Sequence, residues 1–197
     1  MVFLLKIRTR TDSLLRNVKF ASDSILILKP MEIKSNSKRE DVFAVAEQFL
    51  VSKGFSIIAK DDTRPWGGFF VIDEKQAEKF INDFFPEYGT MEFENKVSPK
   101  FLIVEPGKRL SWQYHHRRAE VWRIMHGPVE IAVSDDDTEP EGITYTVNEM
   151  IRLTKGQRHR LKGLDEWGVV AEIWQHTDND NPSDEEDIVR LKDDFGR

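Results

Sequence analysis

The chain has 197 residues, 39% hydrophobic, 11% aromatic and 32% charged, which suits one soluble domain with a substantial core and excludes a wholly disordered chain. It contains no cysteine, so a disulfide framework, Cys-ligated zinc, an iron–sulfur cluster and a thiol nucleophile are excluded, and a reducing cytoplasm is the expected setting. The formal net charge of −6 hides an excess of four positive charges in residues 1–30, which leaves the remainder at about −10, a poor partner for nucleic acid.

No apolar run reaches bilayer length, and Met1–Leu5 is too short for a secretory core, so no membrane association is expected. Residues 1–30 show no sustained period and read as a poorly ordered extension or a misassigned start, with Met31 as the alternative first residue. The first unit, 1–55, ends in a helix: Ser37-Lys-Arg-Glu40 fits a capping box, Val42, Val45, Ala46, Phe49 and Leu50 recur at helical spacing, and Lys53-Gly54 stops it. The second unit, 56–197, carries a helical insertion near 73–86, opened by Asp73 and Gln76 and closed by Pro86.

From Lys100 the chain changes to short β-type runs between turns: 101–104, 110–114, 121–125, 129–133, 143–147, 150–153 and 169–174, with one more strand starting near His159. That many short strands imply a mainly β sandwich or barrel. The acidic loop 135–142 lacks the spacing of a calcium loop and reads as a solvated hairpin tip; 178–187 reads as a polar connection before a short closing segment.

Three of the five histidines fall between positions 115 and 126. On an alternating strand Gln113 and His115 share one face, and the next strand returns Glu120 toward it; His159 begins a later strand. Two imidazoles, a carboxylate and an amide oxygen suit one divalent ion, zinc before manganese or iron(II), with neutral imidazoles that would release metal below the histidine range. His126 and His176 read as ordinary structural histidines.

These residues resemble the cupins. Gly107-x5-Gln113-x-His115-x4-Glu120-x6-Gly127 follows the first cupin motif with Gln for the first His, and Gly156-x-x-His159 follows the second, with Thr154 in place of its proline. A narrower likeness, to type II mannose-6-phosphate isomerases, rests on Arg64-Pro-Trp-Gly67, Pro106–Ser111, Gln113–Trp122, His159-Arg-Leu161, Glu186–Arg190 and Phe195-Gly-Arg197. The resemblance implies a double-stranded β-helix (jelly roll) with about two peripheral helices, and Gln113, His115, Glu120 and His159 as metal ligands. Two departures fall inside the blocks: Arg117 stands where the family has a second His, and Trp174 where it has Gln. No Gly-rich phosphate loop accompanies the motifs, so nucleotidyl transfer is not expected.

The resemblance implies a sugar-phosphate substrate and an aldose–ketose isomerisation, which needs a Lewis acid and a base. Glu172, Lys155, His116 and water all stand as candidate bases. Arg160 is placed at the catalytic site as a phosphate clamp, and Arg64, Trp66, Lys108, Arg109 and Arg197 are placed at the substrate. The competing expectation is a non-catalytic, metal-bearing cupin that senses a sugar or sugar phosphate; homodimerisation stays open.

Overall fold

The computed structural model describes residues 31–88 and 95–196; the segment 1–30 and Arg197, about which the sequence raised expectations, lie outside the described residues. Helix α1 (Arg39–Ser52) precedes the hairpin β1 (Ile57–Arg64) and β2 (Gly67–Ile72), and a 3-10 turn (Glu74–Gln76) leads into α2 (Ala77–Phe84). The barrel strands follow: β3 (Val97–Val104), β4 (Trp112–Tyr114), β5 (Arg118–His126), β6 (Val129–Ser134), β7 (Ile143–Tyr145), β8 (Met150–Leu153), β9 (Arg158–Gly163), β10 (Gly168–His176) and β11 (Val189–Lys192). Among the described residues, no helix is long and apolar enough to cross a membrane.

The antiparallel pairs are nested: β3 with β10, β4 with β9, β5 with β8, and β6 with β7. A long hairpin folded back on itself produces that order, which is the jelly roll that the cupin resemblance implied. The two facing sheets read β1-β2-β3-β10-β5-β8 and β11-β4-β9-β6-β7.

All seven β-type runs become strands, with shifted ends, since β3, β5 and β10 each extend beyond the apolar stretch that marks them. Three strands had no signal of their own. β1 is a polar sheet edge, and β2 and β11 depend on their partners β3 and β4. Both expected helices form, but neither capping box does. Lys38 is the residue preceding α1, and the Ser37 hydroxyl instead accepts from Lys34 N at 3.1 Å. Ser37 is one residue too early, and Glu40 and Asp41 in the first turn offset the helix dipole. Asp73 caps the 3-10 turn by accepting from Lys75 N, while the Gln76 side chain bridges Ser56 N and Gly54 O.

Strand alternation sorts the core into two layers. Phe101 and Ile103 on β3, Val121 and Met125 on β5, and Val169, Ala171 and Ile173 on β10 pack outward in one cluster with Val42, Phe43, Ala46 and Leu50 of α1 and Phe80, Ile81 and Phe84 of α2. Leu102, Val104, Trp122, Ile124, Leu161 and Val170 pack inward, between the sheets. Arg39 ties α1 to the barrel through Glu105 at 2.6 Å and the carbonyls of Asp62 and Arg64 at 3.0 Å.

The turn between β1 and β2 requires glycine. Gly67 sits at φ +141°, and a Cβ there would lie 2.0 Å from the Ile103 carbonyl oxygen. Gly67→Ala is therefore expected to destabilise the fold by about 2 kcal/mol or more, read as a lowered urea midpoint at unchanged m-value.

Candidate metal centre and pocket

The inward alternation that builds the apolar layer becomes polar at one end of the barrel. On β3, Lys100 has the parity of Leu102 and Val104; on β5, Glu120 that of Trp122 and Ile124; on β10, Glu172 and Trp174 that of Val170. Register aligns them: Glu172 lies opposite Lys100 and Trp122, and Trp174 opposite Glu120. From the facing sheet, Gln113 lies opposite His159. All of these are buried.

His115, Glu120 and His159 form a cluster whose ligand atoms lie within 4.8 Å of one another. His115 Nε2 is 3.2 Å from Glu120 Oε1, and His159 Nε2 is 3.4 Å from Glu120 Oε2. Donors held at about 2.1 Å around one ion stand roughly 3.0–3.4 Å apart, so the spacing fits a divalent cation. Glu120 Oε2 and His159 Nε2 are also buried without a hydrogen-bond partner, which is costly unless a ligand satisfies them. The tautomers are set from behind: His115 Nδ1 donates to Asp187 O at 2.6 Å and His159 Nδ1 to Gln157 O at 3.0 Å, so both Nε2 atoms face the centre as acceptors, His159 Nε2 without a partner and His115 Nε2 3.1 Å from an Arg118 nitrogen. Gln113 Nε2 lies 3.5 Å from His115 Nε2, while its Oε1 accepts from Ser111 Oγ at 2.5 Å. Turning this amide by 180° presents the oxygen to the other three ligands, and a hydroxyl can accept as well as donate.

Electrostatics follow from burial. Burial alone would raise the Glu120 carboxyl, but His115, Arg118 and His159 outweigh it and hold it at about 2. Burial lowers His115 to about 3 against the opposing pull of Glu120, and lowers His159 in the same way. Burial, with the Glu120 charge second, pushes the Glu172 carboxyl up to about 8, against Lys100 and Arg118. Trp122 Nε1 donates to Glu172 Oε1 at 2.9 Å. Burial also lowers the Lys100 ammonium, opposed by Glu185 and Glu172.

Two site residues were missed by sequence reasoning. Arg118 is buried, donating to Glu120 Oε1 at 2.7 Å and approaching His115 Nε2 at 3.1 Å. Lys100 places its ammonium 3.5 Å from the Trp174 ring centroid and pairs with Glu185. The signal for Lys100 was a lone charge inside the apolar run Val97–Val104; for Arg118 it was its two-residue offset from Glu120.

The pocket beside the cluster encloses about 60 Å³. Of the candidate site residues, Gln113, Glu120, Glu172, Arg64 and Trp66 line it, together with Lys100, Arg118 and Trp174. Arg64 is paired with Asp61 at 2.6 Å.

Five candidates are placed elsewhere. Arg160 is next to His159 in sequence and therefore on the opposite face, where it bonds Glu139 at 2.8 Å and Lys192 O at 2.9 Å. With Arg109 and Lys162 it lines a separate cleft of about 280 Å³. Arg109 is paired with Asp194. Lys108 and Lys155 are exposed on turns, as is His116. The 178–187 segment is more than a connection, since Asp187 accepts from His116 N, Arg117 N and Ser183 Oγ. His126 and His176 lie outside the cluster, bonded to Trp167 O and Ile33 O, and to Ser183 N and Ser98 Oγ.

A family model described as mannose-6-phosphate isomerase C-terminal matches residues 56–193. The chain is 30% identical over 134 residues to the xanthan biosynthesis protein XanB of Xanthomonas campestris pv. campestris, covering 68% of this chain and 23% of that protein. It is 26% identical over 159 residues to a mannose-1-phosphate guanylyltransferase of Salmonella montevideo, covering 80% of this chain and 28% of that one. The chain thus spans about a quarter of the length of these relatives. Among solved structures, a Lactobacillus farciminis oxalate decarboxylase formate complex superposes with a TM-score of 0.46 at 14% identity, covering 68% of this chain and 33% of that one.

Two outcomes are expected here. Burial lowers both imidazoles, so proton competition for the metal should set in at lower pH than the ordinary histidine range from which the sequence implied loss. In Glu172→Gln, which removes the carboxyl raised to about 8 beside the ligands, zinc affinity should fall less between pH 7 and 5 than at a solvent-exposed two-histidine site, measured by chelator competition; His115→Ala/His159→Ala loses the metal. Arg160→Ala leaves metal content unchanged and costs about 1–3 kcal/mol of stability by leaving Glu139 with Lys192 as its remaining partner, read by urea denaturation.

Proposed function

The chain belongs to the mannose-6-phosphate isomerase C-terminal family, and from that membership together with the pocket we propose that it is a metal-dependent isomerase interconverting an aldose phosphate and its ketose, with mannose 6-phosphate and fructose 6-phosphate as the pair. Gln113, His115, Glu120 and His159 would hold the ion, zinc being the best match to two imidazoles, one carboxylate and one amide. When bound, it supplies Lewis acidity to the adjacent carbonyl and hydroxyl oxygens of the sugar.

The observation that carries the reading is Glu172. It lines the same pocket as Gln113 and Glu120, it is buried, and one of its oxygens is occupied by Trp122 Nε1 while the other remains for proton transfer. A carboxyl near 8 falls toward neutrality once the charge on Glu120 is neutralised, which is where a base that must also return its proton works best. In the forward direction the Glu172 carboxylate takes the proton from C2 of the aldose and delivers it to C1, while the C2 hydroxyl proton passes to the C1 oxygen. Two protons are removed and two are returned, so the reaction balances without an oxidant, and the proton held on Glu172 can exchange with solvent before it reaches C1. Trp66 and Trp174 offer apolar walls for the sugar, and Arg64 lines the same pocket.

The sequence relatives support the substrate class: one is a mannose-1-phosphate guanylyltransferase by name, a reaction on a neighbouring mannose phosphate. Solvent hydrogen exchange at C1 and C2 of mannose 6-phosphate tests the proposal. Glu172→Gln should lower exchange by about 10²- to 10⁴-fold with metal content unchanged. Only the carboxylate can take the C2 proton, so the wild-type kcat/KM should rise with pH along a limb that the variant lacks. Metal-loaded protein that binds the phosphosugar but never exchanges its hydrogens would instead be the non-catalytic binding module.

A further inference from the structure

Lys100 is the one ammonium lining the pocket, and it is not used by the proton transfer just described. Its side chain is 6% exposed, and its ammonium lies over Trp174 and 4.8 Å from the Phe69 centroid. The Trp174 indole N–H is buried with no hydrogen-bond partner, so the wall beneath Lys100 holds an unused donor, which ordinarily costs stability. Among the described residues, the anionic group paired with the ammonium is the Glu185 carboxylate, on a side chain 51% exposed.

Everything around Glu185 is fixed. Arg117 holds the segment 178–187, a strap beside the pocket, through Asn181 Oδ1 at 3.0 Å, Pro182 O at 2.9 Å and Asp184 at 2.9 Å. Arg118 bonds Ser183 Oγ and Asp184 O, and Asp187 anchors the far side. Glu185 sits on the turn between these clamps and reaches back alone. The pocket of about 60 Å³, with Glu185 among its lining residues, is small beside a typical small-molecule site, and displacing the Glu185 side chain would enlarge it.

We propose that Lys100, floored by Trp174, is a subsite for an anionic phosphate oxygen of the substrate, and that Glu185 is a displaceable carboxylate that fills it in the substrate-free protein. The assignment rests on the sugar-phosphate reading above and adds a place for the phosphate. Movement is confined to one exposed side chain, because shifting the strap itself would break the Asp187 carbonyl contact that sets the His115 tautomer. Both departures from the family pattern serve the device: Arg117 clamps the strap, and Trp174 floors Lys100.

Calorimetric titration of metal-loaded protein with mannose 6-phosphate, inorganic phosphate and mannose tests it. Glu185→Gln removes the competing charge and should tighten both phosphates about two- to fivefold, the strength of a partly exposed ion pair, with mannose unchanged. Lys100→Gln should weaken both phosphates and erase the effect of Glu185→Gln in the double variant. Tightening of inorganic phosphate without mannose 6-phosphate would overturn the substrate subsite. So would unchanged phosphate binding in Glu185→Gln, the same tightening in the Lys100→Gln background, or no phosphate binding by any form. Glu185→Ala on the exposed turn gives the same comparison without touching the core. The readout is binding, so loss of hydrogen exchange with this cycle intact removes the isomerase and keeps the subsite, whereas a flat cycle with exchange intact removes the subsite alone.

Discussion

A single ionised carboxylate, Glu120, buried to 2% exposure between two imidazoles and a guanidinium, organises this end of the barrel. Burying such a charge costs several kcal/mol unless it is surrounded by compensating groups. Arg118 supplies the opposite charge within the strand that carries Glu120, and is itself buried only because Glu120, Ser183 and the Asp184 carbonyl accept its hydrogens. The same charge raises Glu172 on the neighbouring strand, so one group tunes both the ligand cluster and the proton carrier beside it. The strap is drawn in through Ser183 and the Asp187 carbonyl, which makes the tautomer of His115 depend on chain more than 70 residues away.

What the sequence revealed and what it hid both follow from the two-residue period of a strand. Gln113, His115 and Glu120 were legible because their spacing is a strand, a turn and a strand, a local geometry, whereas His159 reaches them through the pairing of β9 with β4 and was marked by its resemblance to the second cupin motif. Arg160 was misplaced because adjacency in sequence reverses the face: His159 turns inward and Arg160 meets Glu139 outside. Lys108, Arg109 and Lys155 were drawn in by proximity to motif residues, yet they sit on turns or on the outer face. Lys100 was overlooked although a lone lysine with the parity of Leu102 and Val104 must either disrupt an apolar layer or mark its edge. The β1 edge strand lacked a signal because its residues face solvent, and β11 is defined by pairing with β4, which no local pattern reports.

The strap shows how residues that depart from a family pattern can remain consistent with its site. An arginine at 117 cannot ligate a metal as histidine would, but it points away from the cluster and spends its donors on 181, 182 and 184. Trp174 gives up the hydrogen-bonding capacity of an amide and offers instead a ring face on which Lys100 and Arg118 both rest at 3.5 Å. Cations held against an aromatic face remain charged at low hydration cost, so the substitution retains positive charge in the pocket.

A barrel whose interior is partly given to charges needs apolar burial from another source. Between the sheets the apolar layer is short, and its inward positions near Glu120 and Glu172 contribute polar atoms. The compensation lies on the outer face of the six-stranded sheet, where Phe43 of α1 packs on Phe70, Phe49 on Phe101, and Phe80 and Phe84 of α2 on Phe55 and on each other. Phenylalanine brings large apolar area without a group that needs a partner. The two helices are thus not ornaments on a jelly roll: by moving much of the core outside the barrel, they allow its inner face to bury a carboxylate pair, two imidazoles and a lysine at one end.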